Sequence, residues 1–187
     1  MAKLYFFYST MNAGKTTLLL QYNYNYKEKN IKTLLFVPSI ANKNGIIKSR
    51  IGLKENAIKI TTDFNIFKYI KNYKIKLKYI LVDEVQFLNK KHIFELISIV
   101  DILKISVLTY GLRTDFKSNL FEGSKYLLAL SDKIIELKTI CQCGRKAIMN
   151  AKTNKKNQKI LHGEQIDTNK KIYMSLCRYH YYNTNKL

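Results

Sequence analysis

The sequence predicts an α/β fold, a mostly parallel sheet with helices on both faces, followed by a small metal-stapled unit. Through the first three quarters of the chain, short apolar runs rich in β-branched and aromatic residues alternate with longer helix-like stretches. A Gly-Lys-Thr loop stands between the first such run and the first helix-like stretch. After Thr139 the texture changes, and all three cysteines fall beyond that point.

Taken in order, Leu4–Tyr8 is an aromatic-rich strand, and a helix is expected from about Gly14 to Lys29. Thr33–Val37 reads as the second strand. Pro38–Asn56 is polar, carries Gly45 and Gly52, and reads as a long loop. A third strand at Ala57–Ile60 and a short helix at Phe64–Tyr73 follow. Tyr79–Val85 is the clearest buried strand. Leu88–Leu103 places Ile93, Leu96, Ile97, Val100 and Leu103 on one helical face. Ser106–Tyr110 and Ile134–Leu137 are strands flanking a helix at Gly123–Leu130. Residues 1–138 form one α/β unit on this reading, and 139–187 the small appendage, with a polar stretch at Asn150–Lys159 and a strand at Ile172–Leu176.

A chain of 187 residues, 47% of them hydrophobic, is long enough to bury a sizeable core. No apolar run reaches the roughly 18 residues of a membrane span. The N-terminus enters a strand at once, without a charged lead and a small-residue cleavage site, so no export signal is read. Three cysteines in such a chain point to reduced thiols, a metal site and a cytoplasmic location. The formal charge of +20 is spread along the whole chain, with Lys and Asn alternating and no basic block. It reads as compositional drift towards Lys, Asn, Ile and Tyr, and nucleic acid is not an expected partner. His92 and His162 are expected at the surface and are assigned nothing.

Ser9-Thr10-Met11-Asn12-Ala13-Gly14-Lys15-Thr16 matches the phosphate-loop pattern G-x-x-x-x-G-K-[ST] except that Ser9 stands for the first glycine. Gly14 lets the backbone approach phosphate oxygens, and the following amides at a helix start cradle the anion. Lys15 suits the β- and γ-phosphates of ATP, and the Thr16 hydroxyl suits Mg2+. Such a loop needs an acidic partner at the end of a neighbouring strand, and Asp83-Glu84 directly follows Tyr79-Ile-Leu-Val82. Asp83 is expected to face the metal and Glu84 to take a proton from the attacking hydroxyl or water; Gln86, in the same segment, is counted with the ATP-binding residues. These motifs point to ATP-dependent phosphoryl chemistry and leave the acceptor open.

Cys141-x-Cys143 and Cys177-x-x-His180 offer two ligand pairs of zinc type. With four ligands the site is closed and structural, anchoring a unit too short for its own core.

Six segments stand out in order along the chain: Leu4–Lys15, Ser49-Arg-Ile-Gly-Leu53, Leu81-Val-Asp-Glu-Val-Gln-Phe-Leu88, Tyr110-Gly-Leu-Arg-Thr-Asp-Phe116, Leu120-Phe-Glu-Gly-Ser124 and Glu136–Ala147. Together they resemble the cellular-type (type II) thymidine kinases, in their enterobacterial branch. The resemblance covers nearly the whole chain, and the family tolerates both Ser at the first loop position and the C-x-C spacing. It implies a recombinase-like P-loop core followed by a zinc domain whose lasso loop closes over a nucleoside. It further implies Glu84 as the base for the 5′-hydroxyl, with Met11, Phe87, Leu112, Phe116 and Phe121 in the nucleoside pocket and Tyr173 as the lasso tyrosine. A homotetramer inhibited by the end-product triphosphate comes with it.

The chain departs from that pattern in two places. An Asp-x-Arg motif of the family corresponds here to Ala41-Asn42-Lys43, and Lys does not replace the bidentate fork of Arg. The lasso reads Ile166-Asp-Thr-Asn-Lys170 where relatives have a Val-Ile-Gly-Gly type stretch. Two alternatives stand beside thymidine phosphorylation: a P-loop ATPase coupled to nucleic acid, and a degenerate nucleotide binder without turnover.

Overall fold

The structure is a computed structural model and describes residues 1–154, 158–165 and 172–183. Its core is a six-stranded sheet in the order β5-β2-β6-β7-β1-β8. The strands are β1 (Leu4–Ser9), β2 (Thr33–Pro38), β5 (Ile58–Ile60), β6 (Tyr79–Val82), β7 (Ser106–Leu112) and β8 (Lys133–Glu136), all paired in parallel. The expected helices are α1 (Lys15–Glu28), α2 (Ile66–Lys71), α3 (Lys90–Asp101) and α4 (Glu122–Leu130).

Alternation along the strands sorts two cores. On one face Leu4, Phe6, Phe36, Ile80, Val82 and Val107 pack under Ile66 and Ile70 of α2, Ile93, Leu96 and Ile99 of α3 and Leu127 of α4. On the other, Phe7, Leu35, Leu81, Leu108 and Tyr110 meet Leu19 and Leu20 of α1. Each such buried aliphatic side chain contributes about 1.5–3 kcal/mol of transfer free energy. Asn65 and Asn89 cap α2 and α3 by accepting from the amides of Lys68 and His92. Gly14, at the N-cap of α1, has no side chain to do this and leaves the first amides of α1 open to an anion.

Three expectations are corrected. The long loop at Pro38–Asn56 contains an antiparallel hairpin, β3 (Ile46–Lys48) with β4 (Lys54–Asn56). The polar stretch at Asn150–Lys159 begins inside a fully buried strand, β9 (Met149–Thr153), the centre of a second sheet with β10 (Lys159–Ile160) and β11 (Ile172–Leu176). His92 is buried, its Nε2 3.1 Å from the carbonyl of Phe64. Helix α5 (Arg178–Asn183), which the sequence reading did not mark, closes the described chain. The altered lasso at 166–170 lies outside the described residues. Among the described residues no helix is long and apolar enough to cross a membrane.

Candidate active site

Strands β6, β7 and β1 are neighbours at the centre of the sheet, so their carboxyl ends lie side by side, where ligands bind in open α/β sheets. Three loops emerge there: Ser9–Gly14 after β1, Asp83–Phe87 after β6, and Arg113–Phe116 after β7.

Gly14 has φ 78°, and a Cβ there would meet nothing within 4 Å. The requirement for glycine is therefore conformational rather than steric. Lys15 is buried and its Nζ donates to Ser9 Oγ at 2.9 Å and to the Thr10 carbonyl at 2.8 Å. Ser9, in place of the usual glycine, thus supplies an acceptor for the lysine. Burial pulls the Lys15 ammonium below its ordinary pKa, against the opposing charges of Glu84 and Asp83. Thr16 Oγ1 donates to Asp83 Oδ2 at 3.0 Å, while Asp83 Oδ1 is buried with no partner. Burial first, and then the Glu84 charge, push the Asp83 carboxyl up to about 7. A buried carboxylate with an unused oxygen beside a threonine hydroxyl fits a hard divalent cation, whose charge would restore the ionised form.

Glu84 takes a left-handed conformation, φ 50°, uncommon for a side chain with a Cβ. The turn separates the two carboxylates: Asp83 faces Thr16, while Glu84 lines two clefts at once. Gln86 Nε2 donates to Glu84 Oε2, and Gln86 Oε1 accepts from the Leu112 amide at 3.0 Å.

The first cleft, about 360 Å³, is lined by Met11–Thr17, Lys48–Ile51, Glu84 and Leu112. The second, about 290 Å³, brings together Met11, Phe87, Leu112, Phe116, Phe121 and Tyr173, the six residues expected around a nucleoside. Glu84, Gln86, Thr114, Asp115, Asn150 and Gln165 complete most of its wall. Phe87 and Phe121 stand edge to face, centroids 5.6 Å apart. Asp115 organises the rim: Oδ1 accepts from the amides of Lys117 and Asn119, and Oδ2 from Gln165 Nε2 at 3.0 Å. The two clefts share Met11, Glu84 and Leu112.

Some expected residues fall elsewhere. Ser9 and Thr10 hold Lys15 instead of lining the first cleft, and Gln86 lines the second cleft and supports Glu84. Sequence reasoning missed Arg50, in the first cleft, and Asp115, Asn150 and Gln165, in the second. Arg50 and Asp115 lay in segments that carry the family resemblance, Ser49–Leu53 and Tyr110–Phe116, and Asn150 opened a stretch read only as polar.

Away from both clefts, Cys141, Cys143, Cys177 and His180 place their ligand atoms within 4.8 Å of one another. Cys143 and Cys177 sulfurs are 3.8 Å apart, and Cys141 Sγ is 3.2 Å from His180 Nδ1. Metal–sulfur bonds of about 2.3 Å in a tetrahedron give S···S edges of about 3.8 Å, so the cluster fits zinc. The cysteines form no disulfide. Arg145 Nε, 3.4 Å from Cys143 Sγ, leads in bringing that thiol down to about 6 and so favours the thiolate a metal requires.

The thymidine kinase family model matches residues 2–181. A thymidine kinase of Zymomonas mobilis is 50% identical over 186 residues, covering 97% of this chain and 96% of its own. One from Haemophilus influenzae gives the same identity and coverage, and one from Legionella pneumophila is 47% identical over 187 residues, covering 97% and 90%. The crystal structure of the Pif1 helicase from Candida albicans aligns with 74% of this chain and 36% of its own, at 16% identity and TM-score 0.45, a likeness too loose to carry weight. The near full-length matches are decisive: the chain belongs to the thymidine kinase family.

Proposed function

We propose that this chain transfers the γ-phosphoryl group of MgATP to the 5′-hydroxyl of thymidine, with Glu84 as the general base. The observation that carries the assignment is the wall common to the two clefts, where Glu84 is the one carboxylate. ATP bound through Gly14–Thr16 brings its γ-phosphate towards this wall, and a nucleoside between Phe87, Phe116 and Phe121 brings its 5′-hydroxyl from the other side. As the hydroxyl oxygen bonds to phosphorus and the bond to the β–γ bridging oxygen breaks, Glu84 takes the hydroxyl proton and ADP leaves. Lys15, and Arg50 from the hairpin, offset the charge on the phosphate oxygens.

Thr16 and Asp83 are the residues that would hold Mg2+, which neutralises charge across the β- and γ-phosphates. Cys141, Cys143, Cys177 and His180 would hold a structural zinc ion with no open position. Both fit the donor sets described above. A cytoplasmic location accords with the three free thiols. A homotetramer and inhibition by the end-product triphosphate are part of the same reading and come from the family resemblance, while a division of the chain near residue 138 rests on the change of sequence texture after Thr139.

The test is transfer of labelled γ-phosphate from MgATP to thymidine by wild type and by Glu84→Gln, with a DNA-stimulated ATPase control. Labelled thymidine monophosphate from wild type, falling roughly 10²–10⁴-fold in the variant, supports the base assignment. Equal product from both removes Glu84 from that role. ATP consumption stimulated by DNA but not by thymidine overturns the acceptor.

A further inference from the structure

We infer that Asn150 and Ser175 are positioning residues for the phosphate loop, and that through them the metal-stapled sheet sets the geometry of the ATP cleft. Asn150 lies on β9 and Ser175 on β11, directly opposite each other in register. Both reach the same loop residue. The Met11 amide donates to Asn150 Oδ1 at 2.8 Å, and the Met11 carbonyl accepts from the Ser175 hydroxyl at 2.5 Å. One phosphate-loop residue thus has both main-chain polar groups held by side chains from a different sheet. Asn150 is buried and both ends of its amide are engaged, because its Nδ2 also donates to the Thr114 carbonyl at 2.9 Å. A single side chain therefore ties the loop after β1 to the loop after β7.

The phosphate loop has reason to need such support. Asn12, the next residue, sits at φ 64°, and Gly14 at φ 78°, so the segment follows no regular ladder. An anion cradle works when its amides are already aimed, and the two bonds to Met11 fix the first half of that aim.

The holders are in turn fixed at the metal site. Met149, at the start of β9, and Leu176, at the end of β11, pack with Cys141, Cys177 and Tyr181 in one buried cluster. Cys177 follows β11 directly, two residues from Ser175. Releasing the ion frees the end of β11, loosens the pair Asn150–Ser175, and leaves the Met11 groups without fixed partners. On this inference the structural metal reaches the ATP cleft mechanically, without contributing a ligand to it.

The inference rests on Met11–Thr16 being the ATP site, and the experiment separates the two. ADP binding is measured by calorimetry on metal-loaded wild type, Ser175→Ala and Ser175→Thr, with KM for ATP and thymidine in parallel. Ser175 does not line the nucleoside cleft. The expected result is an ADP Kd and an ATP KM raised roughly tenfold in Ser175→Ala, the equivalent of about 1.4 kcal/mol. Ser175→Thr restores ADP binding by keeping the hydroxyl. Wild type that binds no ADP defeats the functional reading. Wild type and Ser175→Ala binding ADP equally well defeat this inference alone. Should the variant not fold, amide exchange on wild type before and after metal removal decides. Faster exchange at residues 10–14, with β1 still protected, supports the coupling, and unchanged exchange there while residues 172–180 open overturns it.

Discussion

Gln86 clamps Glu84 to strand β7. Its amide nitrogen donates to the Glu84 carboxylate and its carbonyl accepts from the Leu112 amide at 3.0 Å, with Gln86 itself buried. The carboxylate common to both clefts is therefore aimed by the strand whose last residue, Leu112, lines them both. Gln86→Leu removes both bonds and leaves the half-buried Leu112 N–H without this partner, at a cost of about 1 kcal/mol. The expected outcome is a fall in kcat of roughly tenfold or more, with KM for ATP little changed, in steady-state kinetics with both substrates varied. An unchanged kcat shows that Glu84 needs no such aim.

Gly111 makes the clamp possible. A Cβ at Gly111 would lie 2.7 Å from Gln86 Oε1 and 2.9 Å from Val85 Cγ1. Gly111→Ala should destabilise by about 1–3 kcal/mol as the Gln86 amide is forced aside. Thermal unfolding reads the loss, and kcat should fall with it. Gly111→Ala combined with Gln86→Ala should cost less than the sum of the two, because the obstructing amide is gone; strict additivity places the strain elsewhere.

What the sequence revealed divides along physical lines. The phosphate loop, the Asp83-Glu84 pair and the ligands Cys141, Cys143, Cys177 and His180 were legible because each demands particular residue types at fixed spacing. The central strands were legible because both faces are buried, giving the unbroken run Tyr79-Ile-Leu-Val82. Strand β9 was not. Its sequence, Met-Asn-Ala-Lys-Thr, is polar, yet all five residues are buried. Asn150 spends its polarity on Met11 and Thr114, and Lys152 stands over the Phe116 ring at 4.6 Å from its centroid. Partners that lie far away in the chain leave no local pattern. The hairpin of β3 and β4 escaped for a different reason: strands of three residues are too short to show a period.

His92 supplies a pH test outside the active site. Burial first lowers its imidazole pKa from 6.5, with the Phe64 carbonyl opposing. The folded chain thus takes up this proton less readily than the unfolded chain. Its contribution is full above about pH 6.5 and declines as pH falls below that value towards the lower folded pKa. Chemical denaturation at pH 7 and pH 5 should show a larger loss of stability in wild type than in His92→Gln. Equal losses mean that His92 takes up its proton as readily in the fold as in the unfolded chain.

Arg50 is expected to provide the guanidinium that the Ala41-Asn42-Lys43 segment lacks. That segment is otherwise engaged: Asn42 Oδ1 accepts from the Asn44 amide at 2.9 Å, its Nδ2 donates to the Ile46 carbonyl at 2.5 Å, and Ala41 lines the second cleft. Arg50 instead stands exposed in the turn between β3 and β4, in the cleft with Lys15, Thr16 and Glu84. It is near enough for its charge to weigh against that of Lys15. A guanidinium that meets developing phosphoryl charge acts mainly in the transition state, so Arg50→Ala should lower kcat by roughly 10²-fold or more, with KM for thymidine nearly unchanged. Arg50→Lys should recover only part of this, since an ammonium keeps the charge and loses the bidentate fork. Lys43→Ala should leave kcat within about twofold, because loss of a solvated charge outside the cleft is small. Were Lys43→Ala to cost as much as Arg50→Ala, the phosphoryl clamp would lie on the Ala41-Asn42-Lys43 segment after all, and Arg50 would be only a surface charge.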